Sequence, residues 1–144
     1  MKINVKKIKE KARLPYRATV GSAGADLFAC LESSVLLKAG NIEIIPTGIA
    51  VEIPEGYAGF VFPRSSLSSK YGISLANCVG VIDSDYRGEV GIPVINHKDT
   101  DFIINDGDRI AQLIIMPVDN AEYAESDIIT DTVRGTGGFG STGR

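Results

Sequence analysis

The fold class turns on the stretch Ile42-Glu-Ile-Ile-Pro-Thr-Gly-Ile-Ala-Val-Glu-Ile53. Ile42 and Ile44 alternate, and after a Pro and a Gly so do Ile49, Val51 and Ile53. Period-two alternation reads as half-buried strand, because successive side chains of a strand point to opposite faces. Working outward, Phe60 and Phe62 keep the same period, and so do Val90, Ile92 and Val94. Residues 58–63, 75–81 and 113–118 look similar and read as strands too. Turn signals recur every 8–12 residues or so, the spacing of a sandwich, jelly roll or barrel. No long segment carries a period of 3.6. The best helix candidate is residues 65–71, about two turns, with Ser65 and Ser66 placed to cap it. The expectation is an all-β, jelly-roll-like barrel or sandwich with one short helix. Residues 1–133 form its domain, and residues 134–144 form a flexible Gly-rich tail with too little apolar surface to order itself.

The 144 residues suit one domain able to bury roughly 70% of its unfolded surface. The net charge is a mild −3, and the only basic cluster is residues 2–13, so no nucleic-acid partner is expected. No stretch approaches the roughly 20 apolar residues of a membrane span, and no apolar segment follows the basic start as in a signal peptide. Cys30 and Cys78 have no metal-ligand spacing and read as two buried free thiols of a cytoplasmic protein.

Five segments carry chemistry. In Gly80-Val-Ile-Asp83-Ser-Asp-Tyr86-Arg-Gly88 an apolar strand runs straight into acids, an aromatic and a Gly turn. Alone it fits a hairpin with surface acids. It equally places Asp83 at a strand mouth, where a carboxylate can orient and deprotonate a water for attack on phosphorus. In Pro63-Arg64-Ser65-Ser66-Leu67 the alternatives are a plain capped helix and a phosphate seated on the helix start. Ala23-Gly24-Ala25-Asp26-Leu27 alone is a Gly turn into a strand. In Gly107-Asp-Arg-Ile-Ala-Gln112-Leu113, Gln112 interrupts an apolar strand and needs partners for its amide. The tail Arg134-Gly-Thr-Gly-Gly-Phe139-Gly140-Ser141-Thr142-Gly-Arg144 matches a dinucleotide-binding pattern as text, but no strand-turn-helix unit surrounds it. Its N–H groups, hydroxyls and Arg side chains can hold phosphate, and Phe139 can stack on a base. His97 reads as an exposed loop residue, so His-based triads have little support. No Walker A segment and no zinc pattern is present.

Taken in chain order, the five segments resemble the five motifs of the trimeric dUTPase family, over residues 23–143. The resemblance implies a homotrimer with each active site built from all three chains. It implies hydrolysis of dUTP to dUMP and pyrophosphate, with Asp83 holding the attacking water and Mg²⁺ as cofactor. Arg64, Ser65 and Ser66 would bind phosphates, and Gln112 would add a phosphate or water contact. Asn77 and the backbone of Val81, Ile82 and Asp83, with Gly91 opposite, would read uracil. Tyr86 would pack on deoxyribose and exclude a 2′-hydroxyl. Asp26 would touch the metal through water. The tail would close over the nucleotide, with Phe139 over uracil, Arg134, Ser141 and Thr142 on the phosphates, and Gly140 among the substrate-binding residues.

The sequence departs from the family pattern in two places. Ser66 stands where the family commonly has Gly, and Ala25 where it often has Tyr. The related dCTP deaminases carry a Glu where Pro93 stands, and Pro has no side-chain group to transfer a proton. A non-catalytic nucleotide sensor on the same fold needs neither Asp83 nor the tail, and both are present.

Overall fold

Strand pairing is the consequence of that alternation, and the computed structural model, which describes residues 1–138, contains eleven strands among them. A four-stranded sheet runs in the order β2 (Ala25–Phe28), β11 (Arg109–Pro117), β6 (Tyr57–Pro63), β8 (Gly80–Ile82). A three-stranded sheet runs β4 (Ile42–Pro46), β9 (Gly91–Asn96), β7 (Ile73–Leu75). Two further pairs are β1 (Asn4–Lys7) with β5 (Ile49–Glu52), and β3 (Val35–Leu37) with β10 (Phe102–Ile104). These pairings are all antiparallel. From β6 to β9 the chain alternates between the two larger sheets, which is how the jelly-roll arrangement expected from the sequence wraps a single core.

The register sets which face is buried. Ile45 lies opposite Ile92 across β4 and β9, and both are 1% exposed. With Val94 also inward on β9, the even-numbered Ile42 and Ile44 are turned outward, at 54% and 71% exposure. The sequence pattern had suggested a half-buried strand through Ile42 and Ile44. The half that is buried belongs to Ile45, because β9 fixes the register. Leu27, Val61, Leu75, Ile82 and Leu113 join Ile45 and Ile92 in the core. Each such side chain contributes about 1.5–3 kcal/mol on burial.

Three other sequence expectations are corrected. Residues 75–81 are not one strand. β7 stops at Leu75, a turn crosses from one sheet to the other, and β8 begins at Gly80. Cys78 sits in that turn at φ 62°, and its N–H donates to the Leu75 carbonyl at 3.2 Å. Cys30 is buried as expected, whereas Cys78 is exposed, because the turn carries it off the sheet. The short helix is present but different in kind, a π-helical stretch Leu67–Tyr71 preceded by a helical turn at residues 65–66. Ser66 has helical φ and ψ and makes no capping side-chain bond. A capping Ser needs extended backbone to aim its oxygen at the first turn. The helix ends on Gly72, whose φ of 68° lets its N–H reach the carbonyls of Leu67 and Ser68. None of the helices among the described residues is long and apolar enough to cross a membrane.

Candidate active site

The turn between β7 and β8 makes one wall of a cavity of about 230 Å³. Asn77 reaches it from the turn, Val81 and Ile82 from β8, and Asp83 from the residue directly after β8. Tyr86 and Glu89 come from the following loop, and Gly91 and Pro93 from β9. Six sequence-predicted residues, Asn77, Val81, Ile82, Asp83, Tyr86 and Gly91, therefore meet here. Asp83 is exposed, and its carbonyl accepts the Tyr86 N–H at 3.2 Å, which turns the chain back across the cavity mouth. The Tyr86 hydroxyl donates to the Glu89 carbonyl at 2.9 Å. The cavity thus combines an apolar slot, exposed backbone at a strand end, one carboxylate and one aromatic edge. That set can hold a flat heterocycle with a sugar beside it and place a water at the carboxylate.

A second cavity, of about 290 Å³, collects Asp26, Arg64, Ser65 and Gln112. Asp26 on β2 lies directly opposite Gln112 on β11, so both point into it. Arg64 Nε donates to Asp26 Oδ1 at 2.8 Å, and Arg109 Nη1 donates to Asp26 Oδ2 at 3.1 Å. The Asp26 side chain is only 13% exposed, and these charge-assisted bonds compensate the carboxylate for lost water. Gln112 Nε2 donates to the Pro63 carbonyl at 3.0 Å, which leaves its Oε1 toward Gly24. A Cβ on Gly24 would sit 2.5 Å from that oxygen, so glycine is what admits the amide. Ser66 is exposed beside this region and lines a neighbouring cavity that Arg64 and Arg109 share.

Arg109 was not among the residues singled out from the sequence. Strict alternation puts residues 109 and 112 on opposite faces of a strand. A bulge between Arg109 and Ala111 shifts the register and turns Arg109 to the Asp26 side. Gly107, in the turn just before β11 and at φ 79°, is the local sign that β11 starts irregularly. Glu89 was also missed, since an acid beside a Gly turn carries no signal of its own.

One chain does not bring the two cavities together, and they share no lining residue. Asp26 lies on one edge strand of the four-stranded sheet and Asp83 follows the other. Arg134 is exposed, and Phe139, Gly140, Ser141 and Thr142 lie outside the described residues.

A family model described as dUTPase matches residues 10–143. The chain belongs to the dUTPase family. Its relatives include the deoxyuridine 5'-triphosphate nucleotidohydrolase of Desulfitobacterium hafniense, 53% identical over 94% of this chain and 91% of the relative. The family's solved structures include Staphylococcus bacteriophage 80alpha dUTPase with dUPNHPP, at a TM-score of 0.91 and 31% identity, covering 99% of each chain. They also include a dUTPase mutant from phage phi11 of S. aureus with a structural Mg(II) ion. Its TM-score is 0.80 and its identity 30%, covering 89% of this chain and 98% of that one.

Proposed function

We infer that the chain is a dUTP diphosphatase in which Asp83 is the base. The observation that carries this is the position of Asp83, directly after β8 on the wall of the cavity that also collects Asn77, Val81, Tyr86 and Gly91. Uracil fits the slot between Asn77, the backbone of Val81 to Asp83, and Gly91. Phosphates suit Arg64, Ser65, Ser66 and Gln112. Asp83 takes one proton from a water as that water's oxygen bonds the α-phosphorus. The bond from the α-phosphorus to the bridging oxygen breaks, and dUMP and pyrophosphate leave.

Mg²⁺ fits the phosphate-side cavity as a hydrated ion. Among the described residues there is no cluster of three His, Cys, Asp or Glu side chains that could cage a metal. Both Asp26 oxygens already accept from guanidinium groups, which favours contact through water over direct ligation. Mg²⁺ usually keeps several waters and is shared with substrate phosphates. When bound it would neutralise developing phosphate charge. The chain's own part is to hold Arg64 and Arg109 in a fixed geometry through Asp26.

Three features support a homotrimer with shared sites. The base-side and phosphate-side residues occupy separate cavities of one chain. Ile42, Ile44 and Val81 form exposed apolar surface at 54%, 71% and 60%. The family resemblance points the same way. Light scattering at micromolar concentration should give three times the mass of one chain, and a monomeric mass would contradict it. The free thiols, one of them exposed, suit a reducing cytoplasm.

The direct test of function is incubation with each deoxynucleoside triphosphate and Mg²⁺, followed by product analysis. dUMP and pyrophosphate from dUTP alone are expected, and their absence would overturn the reading. For the sugar, Tyr86→Ala should lower the ratio of kcat/KM for dUTP over UTP by roughly 10- to 100-fold, since it opens space for a 2′-hydroxyl. If the ratio holds, selectivity lies elsewhere.

A further inference from the structure

Tyr86 is 45% exposed, so packing alone does not fix its ring. What fixes it is a short relay of hydrogen bonds. The Tyr86 hydroxyl donates to the Glu89 carbonyl at 2.9 Å. The side chain of the same Glu89 accepts the Gly48 N–H at Oε1, at 2.7 Å. Gly48 belongs to the turn between β4 and β5, and that turn is held from every side. Its carbonyl accepts the Ile8 N–H at 2.8 Å. Thr47, 1% exposed, donates its hydroxyl to the Val90 carbonyl at 2.6 Å, and the Val90 N–H donates to the Ile49 carbonyl at 2.9 Å. Gly48 has φ +69°, and a Cβ there would lie 2.7 Å from Cys30 Sγ and 2.8 Å from Ala12 Cβ. The anchor is therefore pressed against the core and cannot give.

At the other end of the relay, glycine makes room. A Cβ on Gly88 would overlap the Tyr86 hydroxyl and lie 2.6 Å from its ring carbon Cζ. The ring folds back over Gly88 only because nothing projects there. Its hydroxyl then reaches the carbonyl of a residue whose side chain is bonded to the β4–β5 turn.

We propose that Glu89 is a positioning residue for sugar selectivity, its carboxylate holding the Tyr86 ring at the cavity mouth through the Glu89 carbonyl. This rests on Tyr86 being the group that excludes the ribose 2′-hydroxyl. Glu89 touches neither sugar nor phosphate in this role. An ionised carboxylate is the suitable acceptor, because a bond from N–H to a charged oxygen is about twice as strong as a neutral one.

The test compares dUTP with UTP turnover in four new variants of the full-length protein and in Tyr86→Ala. Glu89→Ala should lower the dUTP over UTP ratio of kcat/KM about fivefold, the factor one ordinary hydrogen bond accounts for. Glu89→Gln, which keeps an acceptor for the Gly48 N–H, should retain most of the ratio. Tyr86→Phe cuts the same relay at its other end and should lower the ratio by a similar factor. Adding Glu89→Ala to Tyr86→Phe should then lower it no further, since the two changes break one chain of contacts. A Glu89 residue that merely stabilises the fold would lower the melting temperature and leave the ratio alone. An unchanged ratio in Glu89→Ala, or fully additive losses in the double variant, overturns the proposal while leaving the Tyr86 reading intact. If Glu89→Ala does not fold, an unchanged ratio in Tyr86→Phe overturns it alone. An unchanged ratio in Tyr86→Ala removes both.

Discussion

Asp83→Asn should lower kcat for dUTP by about 10²–10⁴-fold and leave the fold untouched. The loss follows from chemistry, since the amide keeps the shape of the carboxylate but cannot take a proton from water. The survival of the fold follows from position. Asp83 is exposed just beyond β8, and among the described residues its side chain has no hydrogen-bond partner. Its backbone carbonyl, which accepts the Tyr86 N–H, is kept by the substitution. The cavity walls at Asn77, Val81 and Gly91 are kept as well, so dUTP should bind the variant with nearly unchanged affinity. The measurement is single-turnover rate together with equilibrium binding of dUTP. Near-normal turnover would remove Asp83 from the reaction. Loss of binding together with loss of rate would make Asp83 a substrate ligand in place of a base.

The strand that carries Asp83 was legible in the sequence because an apolar run ending in an acid is a local signal. The all-β class was legible for the same reason, since alternation is read within a few residues of itself. What alternation cannot supply is the partner strand. The outward turn of Ile42 and Ile44 depends on Ile45 meeting Ile92, nearly fifty residues on in the chain. The break inside residues 75–81 depends on two sheets lying close enough for a four-residue turn to join them, which no local pattern encodes. The site divides in the same way. Tyr86 and Gln112 belong to motifs and were found with them, whereas Asn77 was reached only through the family resemblance. Arg109 needed the bulge in β11, and Glu89 needed Gly48, which is forty-one residues away. Both act through contacts between distant segments, and such contacts leave no trace in spacing.

Removal of residues 134–144 should leave the melting temperature in place and lower kcat by about 10²-fold or more. Stability is expected to hold because the chain leaves the core well before the cut. β11 ends at Pro117, the Val118 N–H still donates to the Gly56 carbonyl at 3.0 Å, and residues 119–136 are exposed. The core side chains therefore keep their contacts. Activity is expected to fall because residues 134–144 hold groups the two cavities lack. The base-side cavity is lined by one aromatic side chain, Tyr86, which is proposed for the sugar, so the proposed cover for the nucleobase is Phe139. The phosphate-side cavity has two guanidinium groups committed to Asp26, while a triphosphate with Mg²⁺ needs further donors, and Arg134, Ser141 and Thr142 are proposed to supply them. Covering the nucleotide would also exclude bulk water and hold the α-phosphorus in line with the water proposed on Asp83, where a misplacement of about 1 Å costs about 10²-fold in rate. Phe139→Ala should be milder, because it removes only base stacking, worth about 1–3 kcal/mol. The two variants are to be compared by kcat, KM and melting temperature. Full activity in the truncated protein would make the segment dispensable. Loss of activity with a matching loss of melting temperature would make it part of the fold. Loss of activity at constant melting temperature, with Phe139→Ala in between, is the result that assigns residues 134–144 to the nucleotide.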